Sequence, residues 1–227
     1  MKHALKSAAV AGAALLCLAA APKSVGWSSS VSTTTDGYLL LGNPKAAVRL
    51  TEYVSYTCTG CARFQVQSDG VLLLAYLPSG RLAIELHPVI ENPIDLTAAM
   101  LASCGPKEKF FMNHNALLRS QANWIKPLAH ASSVQRSRWA GSELGTRNRA
   151  IAADFGLYAV MATRGYDRQS VERCLNDQAV ANRITAQSVA AKAAGVTKTP
   201  SFSLGGNLLK DTHDWATLRP QLDESLK

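Results

Sequence analysis

From Asp95 to Ala194, about one hundred residues carry almost only helical signals, and strand signals lie on both sides of this block. Candidate helices within it are 95–103, 107–120, 132–140, 146–163, 168–176 and 178–194. Ahead of the block, 39–41 reads as a short strand and 47–55 as an alternating one. In the latter, Val48, Leu50, Glu52 and Val54 share one face and Arg49, Thr51, Tyr53 and Ser55 the other. Residues 58–77 then read as a helix with Phe64, Val71, Leu72 and Ala75 as core positions, bent or interrupted at Ser68-Asp69-Gly70 and stopped by Pro78-Ser79-Gly80. Residues 81–90 read as a second strand. Behind the block, Gly195 reads as a helix-ending glycine. Residues 200–204 and 208–210 read as strands around a Gly205-Gly206-Asn207 turn, and Asp214 as the cap of a last helix reaching about Leu226. The order is β–α–β, a long helical block, then β–β–α, which predicts an α/β fold.

With 227 residues, the chain has length for one domain or one domain carrying an insertion. A 47% hydrophobic and 18% charged composition excludes a disordered tail, a collagen-like chain and a coiled coil. The net charge of +8 comes from 24 basic and 16 acidic residues. The basic residues are scattered, so a solvated surface is expected rather than a nucleic-acid face.

Lys2, His3 and Lys6, followed by the apolar run Ala8–Ala21, read as a secretory signal peptide, too short for a membrane span of about 20 residues. Cleavage after Ala21 is disfavoured by Pro22, with Ala20 and Gly26 as other sites. Leu16 before Cys17 argues against a lipoprotein, and an uncleaved anchor is the alternative. Residues 1–26 are thus a signal and lead-in, and the Ser-, Thr- and Gly-rich stretch 27–37 reads as flexible. No later segment has 18 unbroken apolar residues, so the expected mature protein is soluble and periplasmic or secreted. In such a compartment disulfides persist. Four cysteines, Cys58, Cys61, Cys104 and Cys174, then remain, with three pairings open.

Cys58-Thr59-Gly60-Cys61 follows a strand and opens a helix. Residues i and i+3 share a helix face, so the two sulfurs can meet. Free N–H groups and the partial positive charge of a helix start favour a thiolate at Cys58, which makes it both a nucleophile and a good leaving group. Cys61, one turn deeper, is the resolving thiol. Half of a zinc site would need a second close ligand pair; His87, His114, His130 and His213 are isolated and Cys104 and Cys174 lie 70 positions apart, so no metal is expected. A purely structural Cys58–Cys61 bridge would close a tiny loop and stabilise little. Glu52 lies on the apolar face six residues before Cys58. A carboxyl there is read as the proton acceptor for Cys61, directly or through water, with desolvation raising its pKa; a salt-bridged strand-end glutamate is the alternative.

The segment Glu52-Tyr53-Val54-Ser55-Tyr56-Thr57, then C-T-G-C and a helix, resembles the thioredoxin superfamily. Gly195-Val196-Thr197-Lys198-Thr199-Pro200-Ser201-Phe202 resembles its G-V-x-x-T-P-x-F segment. The helical block, with Phe110 through Leu118 similar to an F-x-x-x-H-x-x-L-x segment, narrows the resemblance to DsbA-type thiol–disulfide oxidoreductases, over about residues 38–226. The resemblance implies a thioredoxin-fold domain of residues 38–90 plus 195–227, with 91–194 as the insertion. It implies a cis proline at Pro200 beside the cysteine pair, with the Thr199 backbone pairing to an extended substrate and Pro200 keeping metals and stray thiols from Cys58. It also places Glu52 where members carry a buried acid. Thr59-Gly60 stands where the best-known oxidases have Pro-His and tunes the thiolate. His114 is expected to be a packing residue. Cysteines at similar places in relatives suggest a Cys104–Cys174 disulfide closing a loop of about 70 residues, worth roughly 4–5 kcal/mol, with two separate buried thiols as the alternative.

The resemblance implies an oxidase of reduced or unfolded exported proteins, with no metal or organic cofactor and a membrane quinone-linked reoxidase as partner. A reductase or isomerase with the same cysteines is one rival. Exported dimeric isomerases carry an N-terminal dimerisation module, and about 20–26 residues before strand 47–55 leave no room for one. A non-catalytic peptide-binding chaperone is the other.

Overall fold

A computed structural model of the chain describes residues 26–227; residues 1–25, with nearly all of the expected signal segment and Cys17, lie outside the described residues. Six strands form one mixed sheet: β1 Val31–Thr33, β2 Leu39–Gly42, β3 Val48–Val54, β4 Leu82–Pro88, β5 Ser201–Leu204 and β6 Asn207–Leu208, in the order β1-β2-β4-β3-β5-β6. Only β3 and β4 run parallel, joined by α1 (Thr59–Val71). Between β4 and β5 the chain runs through a long series of helices, the order expected of a thioredoxin fold with a helical insertion. The stretch 27–37 is not a flexible lead-in. It makes a single turn at Trp27–Ser29 and then the edge strand β1, which needs backbone bonds to β2 rather than an apolar pattern.

One sheet face is covered by α1 and by α11 (Trp215–Ser225), with Leu50, Phe64, Leu72, Phe202, Trp215 and Leu218 in the core between. Asp214 caps α11 by accepting from the Thr217 N–H, as its position predicts. On the second face of β3, Thr51 and Tyr53 are buried too. The helix α10 (Gln178–Ala193) covers that face through Ala191, against Tyr53, Val89 and Val196. It ends at Gly195, whose φ of 90° suits glycine. Helix α10 packs on the sheet through Ala191 and against the insertion's helices through Ala181 and Ile184.

α1 is not interrupted at Ser68-Asp69-Gly70. The Ser68 hydroxyl donates back to the Phe64 carbonyl at 2.8 Å, and the helix widens only at Leu72–Tyr76. Ala75 is exposed and Val71 half-buried, whereas Phe64 and Leu72 are core, because the widened turn rotates the face presented to the sheet.

The insertion contains α2 (Pro93–Ala102), α3 (Phe110–Arg119), α4 (Gln121–Trp124), α5 (Pro127–His130), α6 (Ser133–Trp139), α7 (Leu144–Asp154), α8 (Leu157–Ala162) and α9 (Arg168–Leu175). The expected helix 146–163 is broken at Phe155-Gly156, where the chain turns between α7 and α8. Leu101, Leu117, Ile151 and Phe155 form the insertion's core, which continues without a gap into Val54, Tyr56, Cys61 and Leu86. Cys104, just after α2, is disulfide-bonded to Cys174 on α9, with Cα atoms 5.5 Å apart and a sequence separation of 70. Replacing both with serine should lower stability by about 2–4 kcal/mol in denaturant unfolding. A loss below about 1 kcal/mol would show that the bridge does not constrain the unfolded chain.

Candidate active site

Cys58 is the cap residue of α1. Its extended backbone turns the chain from β3 into the helix, and its Sγ accepts the Cys61 N–H at 3.4 Å. As a thiol it donates to the Thr199 carbonyl at 3.1 Å. The Thr199–Pro200 peptide is cis, as the resemblance implied, so the loop before β5 lies against the cysteine pair. A side chain at position 60 would put its Cβ 3.1 Å from Pro200 Cδ and 3.5 Å from Cys58 Sγ. Glycine at that position lets this close approach form. Thr59 is exposed and Cys58 half-buried, so a large partner can reach the sulfur; Cys61 is 1% exposed.

The two sulfurs titrate apart. The hydrogen bond from Cys61 holds the Cys58 thiol down at about 5, against its ordinary 9.0; partial burial opposes this, and the Thr199 hydroxyl and the Cys61 and Gly60 N–H groups add to it. Burial pushes the Cys61 thiol well up, and the neighbouring Cys58 pushes it further. One sulfur is thus an anion at neutral pH and the other holds its proton.

Glu52, 4% exposed, lies on β3 between Leu86 of β4 and Phe202 of β5. Desolvation raises its carboxyl to about 8, and Asp69 adds to the effect. Among the described residues it has no salt bridge and no direct hydrogen bond to Cys61. It faces a cavity of about 210 Å³, also lined by Gln65, Asp69, His114 and Asn115, with room for several waters.

The turn before Cys58 is held mainly by side chains that the sequence did not single out. Asp95 of α2 accepts from the Ser55 hydroxyl at 2.9 Å and from the Thr57 N–H at 2.8 Å. Gln121 of α4 donates to the carbonyls of Tyr56 and Cys58 at 2.7 and 2.9 Å. The Tyr56 hydroxyl donates to His114 Nδ1 at 2.9 Å, and His114 Nε2 donates to the side-chain oxygen Oε1 of Gln65 at 3.0 Å. Burial lowers His114 to about 3, so the ring is neutral and packs against Tyr56, as expected of a packing residue. The local sign of Asp95 is a carboxyl between Ile94 and Leu96, whereas Gln121, among Arg119, Ser120 and Asn123, carries none. Among the described residues, no cluster of three or more His, Cys, Asp or Glu side chains could hold a metal ion, and no helix is long and apolar enough to cross a membrane.

The thioredoxin family model matches residues 34–224. The chain belongs to the thioredoxin family. A crystal structure of a protein-disulfide isomerase from Novosphingobium aromaticivorans superposes with a TM-score of 0.79 at 46% identity, covering 83% of this chain and 96% of that one. Wolbachia pipientis alpha-DsbA1 shares the fold at 19% identity and a TM-score of 0.66, covering 86% and 93%. A Rickettsia prowazekii protein, provisionally named a protein-disulfide oxidoreductase, is 30% identical over 173 residues, or 75% of this chain and 55% of its own. The chain spans about half the length of the curated relatives it matches.

Proposed function

We propose that the protein is an exported thiol–disulfide oxidoreductase that forms disulfides in reduced client proteins. The observation that carries this is the geometry of the pair: Cys58 caps α1 with its Sγ accepting the Cys61 N–H at 3.4 Å, and Cys61 is buried behind it, an arrangement that favours a thiolate at Cys58 and a thiol at Cys61. A client thiolate attacks Sγ of Cys58 in the oxidised pair. The Cys58–Cys61 bond breaks, its electron pair goes to Cys61, and Cys61 takes a proton. A second client thiolate then attacks the client sulfur of the mixed disulfide. A client disulfide forms, Cys58 leaves as a thiolate, and the two electrons stay on the cysteine pair. Stabilising that thiolate favours the reduced pair, and so favours oxidation of the client.

Glu52 exchanges the Cys61 proton through water in its cavity. The cis Thr199–Pro200 segment and exposed Thr59 are where an extended client lies. The basic and apolar start of residues 1–26 supports export, and a membrane reoxidase would restore the disulfide. The 46% identity to a structure described as an isomerase favours a second reading, isomerisation by the reduced pair.

The test is the reduction potential against glutathione, together with client repair. An oxidase lies nearer about −120 mV than about −270 mV and makes disulfides stoichiometrically in a reduced test protein. A value near −270 mV, or catalytic rescue of a scrambled protein by the reduced form alone, would overturn the oxidase assignment.

A further inference from the structure

The Cys58 turn is part of the thioredoxin layer, yet an inserted helix is bonded to the cysteine's own main chain. Gln121 is the first residue of α4 and 2% exposed. Its Nε2 donates to the Tyr56 carbonyl at 2.7 Å and to the Cys58 carbonyl at 2.9 Å, across 65 and 63 residues of chain. Both amide hydrogens are therefore spent on two alternate peptide groups of one turn. The Cys58 carbonyl also accepts the Ala62 N–H at 3.2 Å, so this oxygen is the junction between the clamp and the first turn of α1. The same turn presents the Cys61 N–H to Sγ at 3.4 Å. Rotating the peptide after Cys58 would swing that donor away. On the other side, Asp95 fixes Ser55 and Thr57 but does not bond to the cysteine.

We infer that Gln121 is a positioning residue for the nucleophile: by clamping the Tyr56 and Cys58 carbonyls it keeps the first turn of α1 aimed at Cys58 Sγ, so the inserted helices help set that sulfur's reactivity. The amide adds a fixed dipole whose positive end faces the turn. This rests on the reading of Cys58 as the nucleophile.

The experiment is a thiolate titration of the reduced full chain, comparing wild type, Gln121→Leu and the double variant Cys104→Ser/Cys174→Ser. Leucine keeps approximately the volume and removes both donors. The disulfide variant loosens the insertion without touching the turn. In Gln121→Leu, alkylation of Cys58 at pH 4.5 should fall about fivefold to tenfold because the thiolate midpoint moves up by nearly one pH unit. The disulfide variant should lose stability and keep the wild-type midpoint. Gln121→Glu retains one donor when protonated, so at pH 4.5 it should give a smaller loss; it carries the same comparison if the leucine variant does not fold.

An unchanged midpoint in the folded Gln121 variants would overturn the inference and leave the function standing. So would an equal rise in the disulfide variant. A wild-type midpoint near 9 would overturn both.

Discussion

Cys58→Ser is expected to lower thiol–disulfide exchange by at least about 10³-fold, while in Cys61→Ser the Cys58 thiolate still attacks a client disulfide, one client sulfur leaves as thiolate, and the mixed disulfide accumulates because no second thiol resolves it. The asymmetry follows from exposure and charge. Cys58 is half-buried, accepts the helix N–H groups and is anionic at neutral pH, so it is the sulfur that a client meets. Cys61 is buried and protonated, and acts only on the bond that Cys58 has made. Mass spectrometry of each reduced variant incubated with a disulfide-bonded client reads the difference directly. A stable mixed disulfide through Cys61 in Cys58→Ser would reverse the roles. A chaperone that uses only the groove would keep its peptide binding in Cys58→Ser, and that outcome would move the function out of redox chemistry.

The second large effect is on stability. Burial raises the Glu52 carboxyl from 4.5 to about 8. Below pH 4.5 the group is neutral in both folded and unfolded chains and costs nothing by ionisation. Between pH 4.5 and 8 the unfolded chain has lost the proton and the folded one has not, so stability falls as pH rises. Above pH 8 the full cost applies, an order of magnitude of about 4–5 kcal/mol. Glu52→Gln removes this titration. Denaturant unfolding should find the variant close to wild type at pH 4 and more stable by several kcal/mol at pH 9. Exchange should slow about tenfold or more, because the proton partner of Cys61 is gone. A variant that is less stable than wild type at pH 9 would mean that Glu52 is a structural ion partner after all.

Residues with unusual local surroundings were legible from the sequence. Two cysteines at a strand–helix junction fix the pair, a carboxyl on an apolar face marks Glu52, and Gly195 and Asp214 mark the helix ends where they occur. The resemblance added Pro200 and the Cys104–Cys174 pairing, and the structure holds both. The rest depends on distance in space. β1 is polar in composition and exists because β2 offers it backbone partners. Nothing in β3 itself shows that α10 returns to bury Tyr53 on its second face. The break at Gly156 lies inside an apolar pattern that favours one long helix, and Ala75 is exposed because of a widened turn that no local residue announces. Asp95 and Gln121 were missed because their partners are main-chain atoms of a turn some 40 to 65 residues away.

The account depends most on the charge state of one sulfur, and the direct measurement is the pH dependence of Cys58 alkylation in the reduced wild-type protein, with the modified residue identified by peptide mapping. A midpoint near 5, with Cys61 unreactive through neutral pH, is the predicted result. A midpoint close to the ordinary thiol value of 9, or preferential modification of Cys61, would contradict it.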